Sequence, residues 1–64
     1  MKMNKDLTYI NRLLLRYGIY VYDKDKQNML RLMEMEIKEL YSYGLITNEE
    51  YKTSILILRQ RKEE

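Results

Sequence analysis

Apolar residues recur at three- and four-residue spacing in three stretches of this chain, and each recurrence is the mark of an amphipathic helix. In the first, Leu7, Ile10, Leu14 and Tyr17 form one stripe that Leu13 widens, with Lys5, Tyr9, Arg12 and Arg16 on the opposite face. Asp6 is a good N-cap type, so a helix is predicted over 6–17. In the second, Leu30, Met33, Ile37, Leu40 and Tyr41 share a face while Leu32 and Met35 fall on the other side. A helix over 25–43 that is apolar on two sides is expected to sit centrally or to meet a second chain. In the third, Tyr51, Ile55 and Leu58 form the inward stripe of a helix over 48–61, and Leu56 and Ile57 widen it to more than half the circumference.

The boundaries carry their own signals. Leu14-Leu15-Arg16-Tyr17-Gly18-Ile19 and Leu40-Tyr41-Ser42-Tyr43-Gly44-Leu45 both run helical periodicity into Tyr-Gly and then an aliphatic residue. These are the chain's two glycines, placed where glycine adopts the left-handed conformation that closes a helix. Ile46-Thr47-Asn48-Glu49-Glu50-Tyr51 reads as a helix start with Thr47 at the N-cap, Glu50 as the reciprocal partner, and Ile46 and Tyr51 as the hydrophobic staple. Between the first two helices, Ile19-Tyr20-Val21-Tyr22 is β-branched and aromatic without a helical stripe. It predicts an extended connector with Ile19 and Val21 on one side and Tyr20 and Tyr22 on the other. Asp23-Lys24-Asp25-Lys26 follows as a polar turn in which either aspartate can cap the second helix.

The expectation is therefore an all-α, compact three-helix domain with a short extended connector, one domain over 1–64, frayed at 1–5 and 62–64. With 64 residues and no cysteine, no histidine and no proline, it has neither disulfide nor the usual zinc ligands to support a small core. Tight packing or self-association must serve instead. Leu32, Met35, Leu56 and Ile57 are the candidate self-association surface, with a homo-oligomer as the partner. The formal net charge is +2, with basic ends and an acidic middle, which fits intramolecular complementarity with the second helix between the others. The longest apolar run, Ile55 to Leu58, is far short of the ~20 residues of a membrane span, and no signal-peptide h-region follows Met1. A soluble cytoplasmic protein with no membrane partner is expected.

The composition argues against catalysis. Nucleophilic Cys and His bases are missing, and two isolated glycines cannot build a phosphate loop. Glu34, Glu36 and Glu39 resemble a solvated helix face more than a carboxylate pair. Asp23-x-Asp25 opens like a calcium loop, but Gln27 and the missing glycine break that pattern. No catalytic residue, metal ligand, cofactor or small-molecule substrate is expected. A helix-turn-helix reading would make the third helix the reader of base edges, and its Ile-Leu-Ile-Leu centre is unsuited to that. Single-stranded DNA or RNA is a better candidate ligand, since that chemistry needs cations and aromatic platforms. Lys5, Tyr9, Arg12, Arg16, Tyr20, Tyr22, Lys24 and Lys26 are the candidate residues. The alternative is a protein-interaction or oligomerisation module with no nucleic-acid ligand.

Leu14 to Asp25, Met33 to Tyr41, Gly44-Leu45-Ile46 and Leu56-Ile57-Leu58-Arg59-Gln60 together resemble the YqgQ-like family of small bacterial cytosolic proteins. The resemblance implies a three-helix fold and no established activity, with single-stranded nucleic-acid binding as a suggestion. It supplies no catalytic residues. Members tend to carry glycine after the connector tyrosine, where this chain has Asp23-Lys24-Asp25-Lys26. Ile37 to Leu58 also resembles the short helical hairpin found at many bacterial C-termini, which implies interaction or oligomerisation.

Overall fold

Each periodic stretch forms a helix. The computed structural model describes residues 7–62, in which the elements are α1 (Leu7–Leu15), α2 (Lys26–Ser42) and α3 (Asn48–Lys62), with no strand among the described residues. The domain is all-α, with three helices joined by one extended connector and one tight turn. Asp6, Lys5 and the ends at 1–5 and 63–64 lie outside the described residues. The last residue of α3 is Lys62.

Both glycines stop helices in the expected way. Gly18 and Gly44 each have φ of 73°. The Ile19 amide donates to the Leu14 carbonyl at 3.0 Å and the Gly18 amide to Leu15 at 2.9 Å. The Leu45 amide donates to Leu40 at 2.9 Å and the Gly44 amide to Tyr41 at 3.0 Å. Each is the paired bonding of a Schellman stop. The tightened last turn, where the Tyr17 amide bonds Leu14 at 3.0 Å, ends α1 at Leu15 and leaves Tyr17 just beyond the helix. The start of α3 is the capping box read from the sequence. The Glu50 amide donates to Thr47 Oγ1 at 3.0 Å, and the Thr47 amide donates to Glu50 Oε1 at 2.9 Å. Thr47→Ala should cost about 1 kcal/mol, read as a lower denaturation midpoint at unchanged slope.

Asp25 caps α2, its carboxylate accepting from the Gln27 amide at 3.1 Å. Asp23, two residues earlier, accepts from the Asp25 amide and from Asn28 Nδ2, both at 2.8 Å. Among the described residues only the two glycines have positive φ. The turn therefore closes through side-chain carboxylates, with no residue at positive φ.

Ile10, Leu13, Leu14, Leu30, Met33, Ile37, Leu40, Ile46, Ile57 and Leu58 make the core. α2 and α3 share the largest contact, and α1 lies against both, so no helix is sandwiched between two others. The domain is flat, measuring 30 × 29 × 17 Å.

Two faces turn differently from expectation. On α1, Leu13 is fully in the core and Tyr9, expected in solvent, is half-buried against it. The buried arc has rotated toward Leu13, because α1 rests on two helices at once. On α3 the buried residues are Ser54, Ile57 and Leu58, with Tyr51 and Ile55 half-buried and Leu56 58% exposed. Ile57 is thus a core residue at 4% exposure and is not available as a self-association contact. Ser54 is completely buried, and its hydroxyl has no hydrogen-bond partner among the described residues. Tyr51 instead stacks on Tyr41, with ring centroids 4.2 Å apart and planes 10° from parallel.

Candidate nucleic-acid interface

The path of the chain after α1 determines what the connector displays. Two contacts hold the end of α1 at the α2–α3 turn. The Tyr17 hydroxyl donates to the Leu45 carbonyl, and Arg16 Nη1 pairs with Glu50 Oε2 at 3.3 Å. The connector must then return to the start of α2. α2 has 17 residues and so is about 25 Å long. The eight residues from Gly18 to Asp25 reach about 26 Å when extended at ~3.3 Å each. Gly18 turns and Lys24 and Asp25 bend, so residues 19–23 make the extended part of that path.

Its burial alternates as an extended chain demands. Ile19 and Val21 are half-buried and pack against the core. Tyr20 is 71% exposed and Tyr22 is 67% exposed. No backbone group of Tyr20, Val21 or Tyr22 has a hydrogen-bond partner among the described residues. The exposed Lys24 and Lys26 follow on the same segment. The Asp23 and Asp25 carboxylates beside them accept from the amides of Asp25 and Gln27 at the start of α2. The amide of Asp25, then the Asn28 side chain, hold the Asp23 carboxyl below its usual range.

The remaining candidates divide. Arg12 is exposed, with no partner among the described residues. Arg16, one turn further along the same face, is engaged by Glu50, and that pair joins the basic first segment to the acidic middle. Tyr9 covers the core and offers no free platform. Lys26 already has an interaction. The structure therefore gathers Tyr20, Tyr22, Lys24 and Lys26 on one segment and leaves Arg12 on α1.

Sequence reasoning missed the exposed apolar end of the molecule. Tyr43 is 70% exposed and Leu45 47%, flanking Gly44, and Leu15 is 55% exposed near the end of α1. The available signal was Tyr43's place at the cap, off the stripe of Ile37 and Leu40. Of the self-association candidates, Met35 is 60% exposed and Leu56 58%, while Leu32 is half-buried. Leu56 lies with Tyr51, Lys52, Ile55 and Arg59 around a shallow concavity of ≈ 360 Å³ on α3.

Glu50 links the site's frame to pH. The Thr47 amide and then the Arg16 guanidinium hold its carboxyl below the usual glutamate value. A carboxyl lowered in the folded state binds its proton less readily there than in the unfolded chain. Its stabilisation is complete above the usual glutamate value and is lost as pH falls through the lowered folded value. Asp23 acts in the same direction. Glu50→Gln should destabilise at neutral pH and converge on the parent in acid, when urea midpoints are compared across a pH series. A constant gap across the series would refute the coupling.

The fold and surface define a small three-helix domain that displays a short, extended aromatic connector, and no described helix is long and apolar enough to cross a membrane. Residues 5–64 match the YqgQ-like family, and the chain belongs to that family. Neither the curated proteins nor the solved structures contain a significant match.

Proposed function

We propose that this is a non-enzymatic cytoplasmic protein that binds single-stranded nucleic acid along the connector. The observation that carries the reading is the outward presentation of Tyr20 and Tyr22 on a segment anchored to the core by Ile19 and Val21. Burying such rings against each other or the helices would have been the ordinary way to gain stability. Exposed rings suit any base, because every base has a stacking face, and Lys24 and Arg12 supply cations for phosphates. Binding of a labelled single-stranded oligonucleotide should weaken steadily as salt rises, since phosphate contacts release counterions. Absence of binding to both DNA and RNA strands at low salt would overturn the reading.

A second reading is favoured by a separate observation. Met35 and Leu56 leave apolar side chains in solvent on α2 and α3, which suits a contact with another copy. Sedimentation over a micromolar concentration series distinguishes a self-associating module from a monomer.

A further inference from the structure

The two connector tyrosines are separated by one residue on an extended chain, and that spacing has a consequence for what fits between them. A rise of about 3.3 Å per residue places the Cα atoms of Tyr20 and Tyr22 about 6.6 Å apart. Bases stack at about 3.4 Å, so a planar base with a ring on each side spans about twice that distance. Tyr20 and Tyr22 do not stack on one another or on any other ring among the described residues; the stacked pair is Tyr41 with Tyr51. The backbone spacing therefore matches the span of one base held between two rings, and the two hydroxyls have no partners that would have to be broken.

We propose that Tyr20 and Tyr22 form a slot that takes a single nucleobase between their rings. The inference rests on the nucleic-acid reading above and specifies its geometry. Val21 lies between the two rings in sequence, half-buried on the core, which holds the spacing from behind. Its amide and carbonyl have no partner among the described residues and are available to a base edge. Lys24 lies two residues beyond Tyr22 and is exposed, within reach of the phosphate flanking an inserted base. A base that enters gains two stacking faces at once, and each ring holds the base most firmly when the other closes the opposite face.

That coupling makes the slot testable. Affinities of the full chain for labelled single-stranded oligoadenylate at low salt are compared among the parent, Tyr20→Ala, Tyr22→Ala and the double variant. Either single variant should lose about tenfold to a hundredfold. The double variant should lose little more than a single one, because the first substitution already opens the slot. Tyr20→Phe and Tyr22→Phe, which keep the rings, should bind close to the parent. Circular dichroism checks that these exposed substitutions leave the helices intact. Losses that multiply in the double variant would mean two independent platforms and overturn the slot while leaving nucleic-acid binding in place. Alanine variants that bind like the parent would overturn any stacking role. A parent that does not bind would overturn the nucleic-acid reading itself.

Discussion

Ile37→Ala should lower stability by about 2–5 kcal/mol. Ile37 is completely buried midway along α2, within the cluster that joins all three helices. Removing its side chain takes apolar atoms from a closely packed site and leaves a cavity that only partial relaxation can fill. A chain of 64 residues has a total stability of roughly 3–10 kcal/mol, so the loss is a large share of the whole. Denaturant unfolding should show a much lower midpoint, or a substantially unfolded protein in buffer. Met35→Ala is the internal control. It lies half a turn away on the same helix with 60% exposure, and it should change stability by about 0.5 kcal/mol or less. Equal losses at the two positions would contradict the packing described for α2.

Gly44→Val should cost about 2 kcal/mol or more, and its origin differs. Nothing lies within 4 Å of where a Cβ would sit, so there is no steric clash with neighbours to relieve. The cost comes from the backbone, since φ of 73° lies in the left-handed region that a β-branched residue rarely enters. Relaxing that strain would break the bonds from Gly44 and Leu45 to Tyr41 and Leu40, and shift the turn from which the α3 capping box starts. Gly44→Asn should cost distinctly less, because asparagine tolerates this conformation. Equal melting temperatures for the Val and Asn variants would show that the backbone angle is not what glycine provides here.

The features legible without the structure are those closed within a few residues. The Schellman stops, the Thr47–Glu50 capping box and the Asp25 cap each link groups no more than five positions apart, so residue type and spacing suffice to specify them. The connector belongs with them. Its alternation follows from strand geometry, and Tyr20 and Tyr22 are exposed while Ile19 and Val21 turn inward. Two positions at turns add to these. Asp23 joins Asp25 in holding the start of α2, and Tyr43 leaves the helical stripe at the cap and is exposed.

What pattern could not supply is direction. α3 has four successive aliphatic residues from Ile55 to Leu58, so apolar character alone does not say which of them face inward. Docking on α2 selects Ile57 and Leu58, leaves Leu56 in solvent, and draws the polar Ser54 into the buried arc. The same holds for Tyr9, which α1 presses against the core because that helix rests on two partners. Arg16 looked like an available cation until the end of α1 was placed beside Glu50, thirty-four residues away in sequence. The sequence by itself determined where helices begin and end, because those choices depend on local hydrogen bonds and backbone conformation. The tertiary structure alone decided which side chains are buried, paired or left for a ligand, because those depend on which surfaces distant segments cover.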